Sequence, residues 1–274
     1  IILDNELGGS LPGPKGQGAN GPVYTVSMDQ NNNAIVAGEF SEINGKESIR
    51  VAKLNGNGTL MSSFETGTGP NNTIFTTEIT QSGSVYLGGL FNEFDGYSRK
   101  HIVRLKSDGS VDEGFNPESN VKGTVFDIEV HGDHILVAGE SGAIVLTLDG
   151  SNWDDFVPPV VDGEIYAVAY QPDSKILIAG SFENVNGEYI PNVARLNADG
   201  TLDKSFDTGA GPNGSVHAIT IDDNGILIGG IFVTYDGISS RRIARLGHDG
   251  KLDGGFDIGL GFDGPVQAIH RRLD

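Results

Sequence analysis

The apolar and polar positions follow one alternation, which is clearest near residues 216–256. Val216 to Ile221 predicts a strand, and Asp222-Asp223-Asn224-Gly225 is a polar turn. Ile226 to Phe232 then runs almost wholly apolar, as in a strand buried on both faces. Asp236-Gly237 marks a reversal, with counterparts at Asn44-Gly45, Asp95-Gly96 and Asn186-Gly187. Both residue types tolerate positive φ, so these dipeptides predict hairpin turns. Arg242 to Leu246 reads as a third strand, and Lys251 to Phe256 as a fourth after Asp249-Gly250. Nothing of helical length carries a 3.6-residue apolar stripe. The pattern is all-β.

The same phrase recurs. Leu-x-x-(Asn/Asp)-Gly closes on a Phe at Leu54/Phe64, Leu105/Phe115, Leu146/Phe156, Leu196/Phe206 and Leu246/Phe256. A Gly-x-Phe precedes four of these, at Gly38/Phe40, Gly89/Phe91, Gly180/Phe182 and Gly230/Phe232, whereas the third unit has lost that loop. Four short antiparallel strands in tandem predict a β-propeller. An open β-solenoid is the competing architecture. Copies of the first strand begin at Val23, Ile74, Val125, Ile165, Val216 and Val266. The chain is therefore expected to be one domain, 1–274, of five or six four-stranded blades. Terminal strands close the ring, including a remnant fourth strand before Gly13.

Composition narrows the chemistry. Eighteen basic residues against 37 acidic give a formal charge of −19. Such a surface repels phosphates and anionic lipid, which argues against nucleic-acid partners. No apolar run is long enough for membrane insertion as a helix. The absence of cysteine removes disulfides and thiolate chemistry. Forty-one glycines fit a turn-rich chain. Ile1 opens it without Met and without a basic-then-apolar leader, so it reads as a mature or excised piece of something longer.

The motif Gly180-Ser181-Phe182, Asn186-Gly187, Val193-Ala194-Arg195-Leu196-Asn197-Ala198-Asp199-Gly200-Thr201-Leu202-Asp203-Lys204-Ser205-Phe206 resembles the delta-60 repeat, a bacterial propeller repeat. The fifth unit matches nearly as well, and the resemblance runs from about Gly16 onward. It implies a part of a large secreted, cell-surface or virion-associated protein, with no catalytic residues to carry over.

One column suggests specific contacts. Lys53, Arg104, Val145, Arg195 and Arg245 precede the repeat Leu, and Met61, Asp112, Trp153, Asp203 and Asp253 follow eight residues later. A type I turn with a Gly bulge sets these positions opposite each other. Arg104–Asp112, Arg195–Asp203 and Arg245–Asp253 are therefore expected to be cross-strand ion pairs packed between blades. Lys53 with Met61 has no explanation at this level.

Other motifs favour bland readings. Gly16 to Gly21 and Gly209 to Gly214 spell GxGxxG, but strands follow rather than helices, so both read as connectors and no cofactor is expected. His131 and His134 lack a third ligand and make a weak metal signal. Asp222–Gly225 and Asp29–Asn33 offer oxygen to calcium without the spacing of an EF-hand. Phe94, Tyr97, Tyr189 and Tyr235 form a candidate aromatic ligand rim. At the loop position of Phe94 and Tyr235 the other repeats carry Ile43 and Val185, which favours a side chain tucked inward. Trp153 reads as a filler of the irregular unit. The expected function is a non-enzymatic structural or interaction module whose rim loops contact a protein or glycan surface. A lectin-like propeller is the alternative. A hydrolase or lyase would need acids or histidines converging from the first strands, where Tyr24, Phe75, Phe126, Tyr166, His217 and Gln267 stand.

Overall fold

The computed structural model describes residues 18–117 and 120–270. Every regular element in them is a β-strand. The chain divides into two compact units, Ile1–Asp133 with Thr147–Ser151, and His134–Leu146 with Asn152–Asp274. The remnant strand expected before Gly13 lies outside the described residues.

Repeats 1 and 2, in the first unit, and repeats 4 and 5, in the second, share one plan. Their first strands are Val23–Met28, Ile74–Ile79, Ile165–Tyr170 and Val216–Asp222. The second strands are Ala34–Gly38, Val85–Gly89, Ile176–Gly180 and Gly225–Gly230. Val51–Leu54, Ile102–Leu105, Val193–Leu196 and Ile243–Leu246 are the third. The second strand lies in the middle of each sheet, antiparallel to both neighbours. Its apolar run follows from that place, because it has neighbours at both edges and both faces covered. Repeat 3 contributes Val125–His131 to the first unit and, to the second, the strands His134–Gly139 and Gly142–Thr147 apart from Thr147 itself.

Each first strand of the four regular repeats carries a register shift near its start, between Val23/Thr25, Ile74/Thr76, Ile165/Ala167 and Val216/Ala218. The residue passed over is Tyr24, Phe75, Tyr166 or His217, and a bulge re-aims such a side chain. In the first unit Tyr24, Phe75 and Phe126 consequently stand in file, with ring centroids 5.5 and 5.8 Å apart. Tyr166 and His217 do the same at 5.3 Å in the second unit. The glycine ending each second strand lies against this irregularity: a Cβ on Gly180 would sit 1.9 Å from the Glu164 carbonyl oxygen.

The Asn-Gly and Asp-Gly reversals are two-residue hairpin turns. Asn44 and Gly45 have φ of 55° and 72°, Asn186 and Gly187 of 52° and 81°, as a type I′ turn requires. The flanking strands are only two residues long. Within each pair the inward residue is Ile43, Phe94, Val185 or Tyr235, and all four are buried.

Two expectations need correcting. The fourth strand is not a strand: it reduces to single bridges at Leu54↔Leu60, Leu105↔Val111, Leu146↔Asn152, Leu196↔Leu202 and Leu246↔Leu252. Just past the bridge the next residue caps a turn, as when Asp203 Oδ1 accepts from the Ser205 N–H at 3.0 Å. That turn swings Phe206 into the core beside Leu177, Ile226 and Leu246. Among the described residues Val266 to Ile269 also pairs into no strand, and the Val266 N–H donates to Gly230 O at 3.0 Å.

Neighbouring repeats are joined at the turns. The N–H following the closing Phe donates to the turn Asp carbonyl of the next repeat: Glu65 to Asp108 at 2.7 Å, Val157 to Asp199 at 2.9 Å, and Asp207 to Asp249 at 2.7 Å. The turn glycine must accept this approach. Gly200 has φ +84°, and a Cβ on it would lie 2.0 Å from the Val157 carbonyl oxygen.

Candidate functional site

The arginine column occupies one repeated environment. Arg195 Nε donates to Asp203 Oδ2 at 2.7 Å, Arg104 Nε to Asp112 at 2.9 Å, and Arg245 Nε to Asp253 at 2.6 Å. The cross-strand register brings them together, since the Asp203 N–H donates to the Arg195 carbonyl at 2.9 Å. Each guanidinium also lies over the closing Phe of its own phrase, 4.8 Å from the Phe206 and Phe256 centroids and 5.1 Å from that of Phe115. Two arginines reach further. Nη1 of Arg104 donates to Leu148 O, and Nη1 of Arg195 to His248 O, carbonyls in the turn of the following repeat. One side chain thus fixes its own turn and the next one.

Repeat 4 carries the most elaborate version. Lys175 Nζ adds a second cation 2.8 Å from Asp203, and Gln171 accepts from Arg195 at 3.4 Å. Burial works to raise the Asp203 carboxyl, but Lys175, Ser205 and Arg195 outweigh it and hold it well below the usual carboxylate range. Repeats 1 and 3 show what replaces the pair. With Met61 in place of the aspartate, Lys53 pairs instead with Asp29 at 3.1 Å. Asp29 is raised by partial burial, yet its hydrogen bonds from Asn33, Lys53 and Asn31 bring it down to about 2. Its oxygens are filled by those donors, so the Asp29–Asn33 turn offers a cation little. In repeat 3, Trp153 lies against His134, the position corresponding to Lys175, with centroids 4.0 Å apart. A ring pair takes the place of an ion pair. No group of three acidic or histidine ligands suited to a metal occurs among the described residues.

The GxGxxG elements are connectors pinned to the hairpins. Asn213 Oδ1 accepts the N–H groups of Val233 and Thr234, and Asp236 Oδ1 accepts that of Ala210. Asp162 does the same toward Asn184 and Glu183, which lowers its carboxyl to about 2. The first such motif begins outside the described residues. Of the expected aromatic rim, Phe94 and Tyr235 must be withdrawn: both are buried, and the Tyr235 hydroxyl donates to Gly250 O at 2.6 Å. Tyr97 and Tyr189 are exposed at 39% and 69%, one position out of register with each other.

A site that the linear pattern did not reveal lies in the first unit. Glu78 pairs in register with Tyr86, and Tyr86 with Arg104, so three side chains stand in a row across three strands. The corresponding row in repeat 4 is Ala169, Leu177 and Arg195. Arg104 Nη1 lies 3.3 Å from the buried Tyr86 hydroxyl, which serves it as Gln171 serves Arg195. Burial, then the charges of Glu129 and Asp127, push the Glu78 carboxyl up to about 7. The row borders a cavity of about 590 Å³, which continues along the Thr80–Ser84 turn. Comparing Glu78 with Ser27, Ala169 and Thr220 down the repeat column was the available signal.

Comparison with known proteins is decisive on family alone. The family model described as "Domain of unknown function (DUF5122) beta-propeller" matches residues 30–64, 80–115, 171–206 and 222–256, just over half of the chain. The chain belongs to this family. The four DUF5122 segments end at, or on, the closing Phe of repeats 1, 2, 4 and 5, and repeat 3, which lacks the hairpin arm, falls outside them.

Among solved structures, the DUF5122 chain is similar to the extracellular domain of the putative one component system BT4673 from B. thetaiotaomicron, at 13% identity and a TM-score of 0.53. That likeness covers 84% of this chain and 27% of the other, so the chain spans about a quarter of its relative's length. It is also similar to the computationally designed Ika8 protein, at 14% identity and TM-score 0.56, covering 92% and 78%. These likenesses show fold alone. No curated protein matches.

Proposed function

We propose that this propeller segment is a non-enzymatic interaction module of an exported protein, secreted or displayed on a cell or virion surface, and that it contacts a protein or glycan surface through its hairpin tips and connectors. The supporting observation is the contrast within those arms. Their inward residues are buried and their backbones are pinned by Asn and Asp side chains, while Tyr97, Val160, Tyr189, Ile238 and Leu260 face solvent. Apolar side chains held on rigid supports lose little entropy on contact. The fold likeness to an extracellular domain supports the location. We further propose that the repeats are blades of one propeller, five or six in number, whose ring the terminal segments complete. Particle images that count the blades test this.

The functional test displays the chain against a glycan array and intact bacterial cells. A Tyr97→Ser/Tyr189→Ser/Ile238→Ser variant with unchanged circular dichroism is expected to lose the signal. Equal binding by the variant would refute the rim, and turnover of a fluorogenic glycoside or ester panel would refute a non-enzymatic role. Signal on glycans but not on protein surfaces would select the lectin-like reading.

A further inference from the structure

The cavity beside Glu78, Tyr86 and Arg104 belongs to neither the hairpin tips nor the connectors. It lies where repeat 2 carries shorter side chains than repeat 4 does. Thr80 and Ser84 occupy the positions of Gln171 and Lys175, as equivalent turn hydrogen bonds show: Thr80 N–H to Ser84 O at 2.9 Å, and Gln171 N–H to Lys175 O at 2.8 Å. In repeat 4 the two long side chains extend over the arginine–aspartate pair, Gln171 to Arg195 and Lys175 to Asp203. The short hydroxyl residues of repeat 2 leave that space open. Its volume, about 590 Å³, falls within the range of small-molecule sites.

The walls select the chemistry. The lining combines the aliphatic Ile79, Val130 and Leu148 with the hydroxyl residues Thr80, Ser82, Ser84 and Tyr86. Hydroxyls both donate and accept, so they suit a ligand bearing hydroxyls of its own. An anionic ligand is opposed by Glu78 and by the neighbouring Asp127 and Glu129. Arg104 offers it little, being engaged by Asp112, Tyr86 and Leu148 O. An organic cation meets that same guanidinium. A compact molecule with a polar edge and an apolar face matches this mixed lining.

We propose that this cavity binds a neutral saccharide of one or two rings, its hydroxyls toward Glu78 and the Thr80–Ser84 turn and its C–H face toward Ile79, Val130 and Leu148. The proposal is independent of the rim. Calorimetry and saturation-transfer NMR with glucose, galactose, mannose, N-acetylglucosamine, maltose and cellobiose test it. At least one of these is expected to bind with millimolar or better affinity. The Thr80→Gln/Ser84→Lys variant imports the side chains repeat 4 uses at these positions, and is expected to weaken binding at least tenfold. The Lys251→Ser variant, at an exposed position of the second unit, is expected to bind as wild type. If the double variant loses its fold by circular dichroism, Ser84→Lys alone carries the same expectation. Silence from every sugar overturns the assignment. So does undiminished binding by the filled variant, or a response to methylammonium or acetate in place of the sugars.

Discussion

The contact between one repeat's turn and the chain entering from its neighbour can be weighed with two alanine substitutions in the second unit. Gly187 and Gly200 have nearly the same backbone, φ +81° and +84°. A Cβ at Gly187 meets nothing within 4 Å, whereas at Gly200 it meets Val157 O at 2.0 Å, Val157 C at 2.9 Å and Phe156 Cε2 at 3.1 Å. The left-handed conformation costs each alanine about 1 kcal/mol. At Gly200 the Val157 backbone must also retreat. That stretches the Val157 N–H to Asp199 O bond, worth about 1 kcal/mol, and disturbs packing by about 1–3 kcal/mol more. Gly200→Ala is therefore expected to destabilise by about 3–5 kcal/mol against about 1 kcal/mol for Gly187→Ala. Urea unfolding followed by Trp153, the one tryptophan, reads the second unit directly. Should the two variants agree within about 0.5 kcal/mol, the close approach is not what makes the turn glycine necessary.

Burial should grade the ion pairs. Arg195→Ala, which leaves Lys175 as the one cation beside the buried Asp203, is expected to cost about 3 kcal/mol. Arg245→Ala, at a pair about a quarter exposed, is expected to cost about 1 kcal/mol or less by the same urea assay. Asp29 lies lower in the folded chain than the usual carboxylate value near 4, so its stabilisation is complete above that value and is lost as pH falls toward 2. Acid unfolding of Asp29→Asn should lack that part of the loss, and an unchanged acid profile would refute it. Glu78 has the opposite sign, because its folded value near 7 exceeds the unfolded 4.5. The folded state then binds more protons between those values, and stability falls as pH rises through them. Glu78→Gln should be more stable than wild type at pH 8, by up to about 3 kcal/mol before solvent screening, and equal to it at pH 4. A gain that persists at pH 4 would point to packing instead.

The sequence was readable wherever the signal is local. The hairpin at Asn186-Gly187 follows from two residues that accept positive φ, and the Arg195–Asp203 register from the turn between them. The fourth strand was misread because Leu202 carries a strand-like residue, yet Asp203 ends the pairing by capping a turn in its own backbone. Phe94 and Tyr235 illustrate a second limit. An aromatic in a loop has the same letter whether it faces water or core, and Ile43 and Val185 in the same column were the better guide. Lys53 could not be matched to Asp29, 24 residues away, because the link runs through a sheet and not along a turn. The Glu78–Tyr86–Arg104 row was hidden for the same reason, since its members meet only once three strands are in register.

Successive repeats meet at the (Asn/Asp)-Gly turn and the residues that reach it, and a hairpin arm, where present, adds its inward residue to the shared core, as Tyr235 does beside Phe206. Repeat 3 discarded its arm, yet its turn still accepts the Asn116 N–H and the Arg104 guanidinium from the repeat before it. Joint and appendage are therefore separable parts. Such a chain is free to lengthen, trim or redecorate its appendages one by one while every joint stays in place.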